Sequence, residues 1–409
     1  MFLLYIDPGT GSMLFSIIMG LAAALYFFSR ALIIKIKFFF SGSNNKEAAN
    51  HESFVIYCEG SQYWNIFKPI LDEFEKKNIN VTYLTSAEKD HFFNESYQYI
   101  KGIYIGEGNK AFAHLNLLEA DICLMTTPGL EVYQLKRSKG VSHYAHILHS
   151  PDDPTSYRLF GTDWFDSVLL TGEYQVAELR LLEAKRGTPK KELPVVGCTY
   201  LDVYNDKIKS IPAEENHIFT VLISPSWGEG TLLKAFGENL LDPLVKTSWR
   251  IIIRPHPQSK KQETEMLSRL ETRYKDNKNI EWDNSLNELI SLSHSDIMIS
   301  DFSSIVLNYI FLFNKPVIYT TAHYNIKMYD DSDLDTPPWK FEALKTFGIE
   351  LKEAELCNIE EIIKKASAIE ELQAARKMAK ETAWQYIGES AVRTVDFLVS
   401  TRERILKDA

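Results

Sequence analysis

Four short stretches of the chain place polar, phosphate-capable side chains directly after apolar runs. Ser300-Asp301-Phe302-Ser303-Ser304 ends an expected strand and opens an expected helix. Free amides of a helix's first turn, the positive end of its dipole and two hydroxyls would converge there, which is the chemistry of a phosphate site. Helix capping by Ser303 is the competing use of the same residues. Arg254-Pro255-His256-Pro257 follows the apolar run Trp249–Ile253, and the flanking prolines restrict where the imidazole can point. An Arg and a His so placed can bind a phosphate or protonate a departing one. His149-Ser150-Pro151 follows Ala145–Leu148 and puts an imidazole at a loop mouth, where a general base would sit. Asp152 and Asp153 are within reach as its orienters or as turn formers, and one of His143 and His146 reads equally well as a core histidine. Ser224-Pro225-Ser226-Trp227-Gly228-Glu229-Gly230 is a glycine-containing strand-to-helix loop that lets a ligand approach the backbone. Glu59-Gly60-Ser61 follows Phe54–Cys58 in the same manner.

The elements that must carry these stretches read as alternating strands and helices. Phe54–Cys58, Asn80–Thr85, Gly102–Ile105, Ile122–Met125, Ala145–Leu148 and Val168–Thr171 have the composition of buried strands, with amphipathic helices at Trp64–Lys77 and Glu173–Ala184. A polar connector, Asp202–His217, leads to a second series: Phe219–Ser224, Trp249–Ile253, Ile280–Trp282, Asp296–Ser300 and Val317–Tyr319, with helices at Leu286–Ser293 and Ser304–Phe313. Such alternation predicts two parallel α/β sheets covered on both faces, with a ligand cleft at the carboxyl ends of their strands. The expected organisation is a membrane anchor over 1–40, a linker over 41–52, a Rossmann-like acceptor domain over 53–205, a Rossmann-like nucleotide-donor domain over 206–370, and helices over 371–409 that pack back. A chain of 409 residues is long enough for two cores.

Composition excludes some classes. Apolar residues are 45% and charged residues 24% of the chain, an ordinary globular balance that excludes disorder. With 45 basic against 55 acidic residues, the net charge of −10 argues against a general nucleic-acid binder. The amino terminus departs from this average. Residues 13–34 form a 22-residue, mostly apolar stretch whose only charge is Arg30, near its end, about 33 Å as a helix and enough to cross a hydrocarbon core. Arg30, Lys35 and Lys37 follow the span, which places the remainder on the cytoplasmic side of a cell membrane. An interfacial helix and a cleaved signal peptide are the other readings; the second lacks basic residues before the run. Tyr5 to Ser12 reads as a turn and helix start, and Ser41 to Glu52 as a tether. The four cysteines have no metal-type spacing and suit reduced thiols. No carboxylate cluster with metal spacing is present, so neither metal nor cofactor is expected.

In combination and order, His149-Ser150, Ser224-Pro225-Ser226-Trp227, Arg254-Pro255-His256-Pro257 and Ser300-Asp301-Phe302-Ser303-Ser304 resemble the CDP-glycerol glycerophosphotransferases of bacterial wall teichoic acid synthesis. The resemblance covers about Ala120 to Gly348 and implies a GT-B architecture. It implies that His149 is the base on the acceptor hydroxyl and that His256 meets the donor pyrophosphate. Arg254, Ser226, Trp227, Gly228, Asp301, Ser303 and Ser304 would bind substrate. Two departures stand out: Ser150 replaces a frequent glycine, and Gly228 replaces a frequent arginine. The implied reaction moves glycerol phosphate, or a related polyol phosphate, from a CDP-linked donor to a lipid-linked or cell-envelope glycan acceptor, with a homo-oligomer as a further possibility. A GT-B glycosyltransferase using a nucleotide-sugar donor, and a non-catalytic nucleotide-binding membrane scaffold, are the alternatives.

Overall fold

The computed structural model describes residues 51–408 except 216, 286, 322–326 and 328, together with Met19, Leu21, Leu25, Tyr26 and Ser29. The five amino-terminal positions are helical, and Met19, Leu21, Leu25 and Tyr26 are exposed. The rest of the expected span, the turn-rich segment before it and residues 41–50 of the tether lie outside the described residues. Among the described residues no helix is long and apolar enough to cross a membrane.

Two six-stranded parallel sheets make up the remainder. The first contains β1 (Glu52–Cys58), β2 (Val81–Thr85), β3 (Ile100–Tyr104), β4 (Glu119–Met125), β5 (Gly140–Ile147) and β6 (Ser167–Leu169) in the order β3-β2-β1-β4-β5-β6. The second contains β7 (Thr220–Ile223), β8 (Arg250–Ile253), β9 (Ile280–Trp282), β10 (Ile297–Ser300), β11 (Val317–Tyr319) and β12 (Ile349–Glu350) in the order β12-β11-β10-β7-β8-β9. Every pairing between named strands is parallel. In each sheet the strand order reverses beside the first strand, and parallel α/β sheets place ligands at the carboxyl ends of strands near such a switch.

The period-2 pattern of the strands fixes which side chains meet. Phe54, Ile56 and Cys58 of β1 point to one core and Val55 and Tyr57 to another. In the second sheet, Leu222, Ile252 and Met298 join the same core as Phe54 and Ile56, while their neighbours Val221, Ile223, Ile251, Ile253, Ile297 and Ile299 face a separate one. One hydrophobic layer is therefore common to both sheets. It holds the helices Trp64–Lys76, Thr199–Lys207 and Ile305–Phe313, whose Phe67, Leu201 and Leu307 are fully buried. The stretch expected as a polar connector from Asp202 begins inside this helix, which ends at Lys207; the buried positions Thr199, Tyr200 and Leu201 precede the polar run that suggested a linker. Strands fall within two residues of expectation apart from β4, which begins three residues earlier, at Glu119, and β5, which begins five earlier, at Gly140. The two-residue β12 and the helices Asn109–Leu115, Leu232–Leu244 and Thr264–Tyr274 are additional.

After Glu371–Ala383 the chain crosses from the second sheet's helices to the first. The crossing is tied by Asp202, which accepts Trp384 Nε1–H at 3.1 Å and the amides of Gly388 at 2.9 Å and Ser390 at 3.3 Å. Gly172 has no room for a side chain here, since a Cβ would sit 2.3 Å from the Thr382 carbonyl oxygen. The final helix, Ser390–Asp408, then packs on Trp64–Lys76, and Lys77 reaches Asp396 at 3.0 Å. Trp384 is 1% exposed at the crossing. Trp384→Ala is expected to lower unfolding free energy by about 3–5 kcal/mol, from lost burial and the cavity left behind, as read by denaturant titration.

Candidate functional site

The carboxyl ends of β5, β7, β8 and β10 carry the four motifs of the sequence resemblance, while Glu59-Gly60-Ser61 follows β1, and the contacts between the four loops run as one chain. Asp301 follows β10 and is fully buried. Its Oδ1 accepts the Ser226 amide at 2.8 Å and the Ser303 amide at 3.1 Å, and its Oδ2 accepts the Leu232 amide at 3.0 Å. One carboxylate therefore joins the loop after β7, the start of the helix Leu232–Leu244 and the turn into Ile305–Phe313. Burial pushes its pKa up to about 6 against the pull of those amides. Asp301 was expected to touch substrate; it lies behind the site as its anchor. It also takes over the capping role considered for Ser303, since neither Ser303 nor Ser304 caps the helix through its side chain. The Ser303 hydroxyl has no hydrogen-bond partner among the described residues.

Ser304 is used differently. Its hydroxyl donates to Asp152 Oδ2, which also accepts Lys340 Nζ–H at 2.7 Å. Asp152 and Lys340 are 7% and 5% exposed, so this ion pair is buried at the junction of the two sheets. Burial works against the Lys340 charge, but Asp152 and Asp153 outweigh it and raise its pKa. Asp153 accepts the Trp339 amide at 2.8 Å and the Lys340 amide at 2.9 Å, and so caps the helix Trp339–Phe347. Arg186 makes a second tie, pairing with Asp163 of its own half and with Asp330 and Asp333 of the other, each at 2.7 Å. Asp152 and Asp153 make no hydrogen bond to His149; Asp153 forms a turn, its carbonyl accepting the Ser156 amide at 3.0 Å, and the two carboxylates do more than that. They clamp the loop behind His149 onto the second sheet, and Lys340 had no local signal that could have announced its part.

His149 projects from this clamped loop. Its Nδ1 lies 2.9 Å from the Tyr157 hydroxyl, its ring meets Tyr63 edge-on at 5.8 Å, and its Nε2 has no hydrogen-bond partner among the described residues. Burial lowers its pKa, with Asp152 opposing, so the ring is neutral near pH 7. His143 and His146 are both core histidines: the first lies 2.9 Å from the Ser167 hydroxyl and the second is fully buried. On the opposite side, His256 Nδ1 accepts the Gln258 amide at 3.1 Å. Burial lowers its pKa to about 4, so the neutral ring carries its hydrogen on Nε2, which is a donor with no partner among the described residues. Trp227 stacks on this ring at 6.2 Å.

Arg254 departs from expectation. Its guanidinium binds Asp283 and donates to the Ser285 carbonyl at 3.0 Å. Despite burial, hydrogen bonds from Ser291, Ser285 and Arg254 hold the Asp283 pKa at about 2. Arg254 therefore fixes the loop after β9. Gly228 has φ +97, donates its amide to Glu263 at 3.2 Å, and has nothing within 4 Å of where a Cβ would stand. The position at which the sequence resemblance implies an arginine is open, but this backbone favours glycine. Among the described residues no group of three or more metal-capable side chains occurs.

Residues 210–399 match the family model described as CDP-Glycerol:Poly(glycerophosphate) glycerophosphotransferase. The match runs from just before β7 into the final helix. No curated protein matches the chain. Among solved structures, the wall teichoic acid polymerase TagF is similar at 15% identity with a TM-score of 0.54, covering 93% of this chain and 98% of that one. A TagF variant soaked with CDPG is similar at 13% identity and a TM-score of 0.54, over 88% and 91%. UDP-GlcNAc 2-epimerase from Methanocaldococcus jannaschii, in complex with UDP-GlcNAc and UDP, gives 15% identity and a TM-score of 0.57 over 85% and 99%. These likenesses show the fold, two parallel-sheet α/β halves of GT-B-like architecture.

Ser304→Ala is expected to destabilise the protein by about 1.5–3 kcal/mol, the usual worth of a hydrogen bond to a buried charge, read as a lowered denaturation midpoint. Ser303→Ala is expected to leave that midpoint unchanged.

Proposed function

We propose that the chain is a membrane-anchored transferase that moves glycerol phosphate, or a related polyol phosphate, from a CDP-linked donor to a lipid-linked or cell-envelope glycan hydroxyl. The glycerophosphotransferase domain over residues 210–399 carries this reading, because it supplies both the donor class and the reaction type. The geometry supplies a division of labour. His149 offers a neutral imidazole with Nε2 unengaged, suited to take the acceptor's hydroxyl proton. The acceptor oxygen then bonds to the phosphorus of the polyol phosphate as the phosphorus–oxygen bond to CMP breaks. Charge that develops on the departing CMP phosphate meets the His256 Nε2–H, the Ser303 hydroxyl and the first turn of the helix Ile305–Phe313. Trp227, stacked on His256, and Ser226, held by Asp301, complete the donor side.

The apolar stretch 13–34 would hold this cleft at the cytoplasmic face of the cell membrane, beside a lipid-linked acceptor. Exposure of Met19, Leu21, Leu25 and Tyr26 on a helix agrees with a lipid-facing surface.

The direct assay is CMP release from CDP-glycerol by the purified full-length chain with a lipid-linked acceptor. The reading requires release, and His149→Ala is expected to lower kcat by about 100-fold or more, the usual worth of a general base. UDP or GDP release from nucleotide sugars, with no CMP, would replace it with a glycosyltransferase. Ser303→Ala is expected to weaken CDP binding about tenfold by calorimetry, the loss of one hydrogen bond to a charged group.

The pH dependence follows from burial of the two imidazoles. A histidine whose pKa is lowered in the folded protein stays neutral until pH drops below its ordinary value of about 6.5. Here the His149 pKa is lowered and that of His256 lies at about 4. The acid limb of kcat/KM is therefore expected below pH 6.5. Stability declines over the same acid range, because the unfolded chain then binds protons that the folded one refuses.

A further inference from the structure

Tyr157 lies between two imidazoles. Its hydroxyl is 2.9 Å from His149 Nδ1 and 3.1 Å from His146 Nε2. Burial raises the Tyr157 pKa far above its ordinary value and pushes that of His146 down to about 3, so the phenol keeps its proton and His146 stays neutral. A phenol has one hydrogen to donate. When that hydrogen goes to one of the two rings, the oxygen accepts N–H from the other, which gives two arrangements. In the first, Tyr157 donates to His146 Nε2 and accepts from His149 Nδ1–H, so His149 Nε2 is a bare lone pair. In the second, Tyr157 donates to His149 Nδ1, and His149 Nε2 carries hydrogen. Because Nδ1 is occupied in both, only Nε2 is left for a substrate, and the direction of the Tyr157 hydroxyl decides whether His149 accepts a proton or donates a hydrogen bond.

We propose that Tyr157 and His146 are positioning residues that hold His149 as the Nδ1–H tautomer and thereby make its Nε2 the base. This rests on reading His149 as the base of the transfer. The first arrangement puts a hydrogen on His146 Nδ1, an atom buried without a partner among the described residues. A bare Nε2 is what a base requires, so the base reading selects this arrangement, and the unpaired hydrogen on His146 Nδ1 is its cost. Packing makes the geometry stiff, since His146 meets Tyr157 edge-on at 5.3 Å and Phe165 at 4.9 Å. No charged group bonds to either nitrogen of His149, so the phenol is the group that selects the tautomer.

The test uses full-length protein labelled with 15N-histidine, with the His149 signals assigned by their loss in His149→Gln. Two-bond nitrogen–proton correlations report the tautomer without substrate. Wild type is expected to show His149 protonated on Nδ1, and Tyr157→Phe is expected to show the Nε2–H form or a mixture. In parallel, Tyr157→Phe should lower kcat about 10- to 100-fold with KM within about twofold. His146→Gln, whose amide can still accept from Tyr157, should recover part of that loss relative to His146→Leu. An Nε2–H signal in wild type, or a tautomer unmoved in Tyr157→Phe, overturns the proposal. Full activity of His149→Ala would instead remove the base assignment while leaving the tautomer result standing, so the two failures are told apart.

Discussion

A buried joint between Asp152, Lys340 and Ser304 is the constraint on which the site depends. Two sheets with separate ligand edges become one cleft only if their carboxyl ends are held at a fixed separation. The common hydrophobic layer sets that separation coarsely, through helices packed between the sheets. The joint sets it finely, because a carboxylate and an ammonium removed from water tolerate little displacement before the desolvation cost is uncompensated. Ser304 is a direct partner in the joint, so the turn that would hold the donor phosphates is bonded to the loop that carries the proposed base. Asp301 extends the constraint on the far side by gathering three amides, two from the segment after β7 and one from its own turn.

This arrangement gives each polar motif residue one of two fates. Some are spent on architecture: Asp301 on amides, Arg254 on Asp283, Ser304 on Asp152. Others keep a free valence: His149 through Nε2, His256 through Nε2 and Ser303 through its hydroxyl. The division has a physical logic. Loops at strand ends have few backbone partners of their own and would wander by ångströms, whereas transfer between two bound substrates requires reacting atoms held near 3 Å. Buried charges at the back of the loops hold them, and the neutral imidazoles at the front are the groups we propose for the chemistry. The chain's net charge of −10 has little bearing on an anionic donor under these conditions, since the groups that would meet it are amides, hydroxyls and an N–H.

Much of this was legible in the sequence. Strands buried on both faces, such as Phe54–Cys58 and Trp249–Ile253, announce themselves by composition, and the polar residues that follow them mark the functional edge. What was not legible is pairing over long separation. Asp152 and Lys340 are 188 residues apart, and Arg254 finds Asp283 only once β8 and β9 lie side by side. Arg254 reads as a phosphate ligand until its carboxylate partner is known. The helix at Thr199–Lys207 was obscured because its buried face is short and its far end, with Asp202, Asn205, Asp206 and Lys207, has a linker's composition. Tyr157 carried no signal at all, since a tyrosine eight residues after a histidine is unremarkable until a loop folds one onto the other.

The central claim is that one cleft brings a nucleotide diphosphate to the turn at Ser303 while His149 waits opposite. A structure of the full-length protein with CDP-glycerol tests it most directly. The account predicts the pyrophosphate within hydrogen-bonding distance of the Ser303 hydroxyl and His256 Nε2, with the glycerol phosphate phosphorus on the side of His149. A pyrophosphate bound away from Ser303 and His256, or a glycerol phosphate turned away from His149, would contradict it.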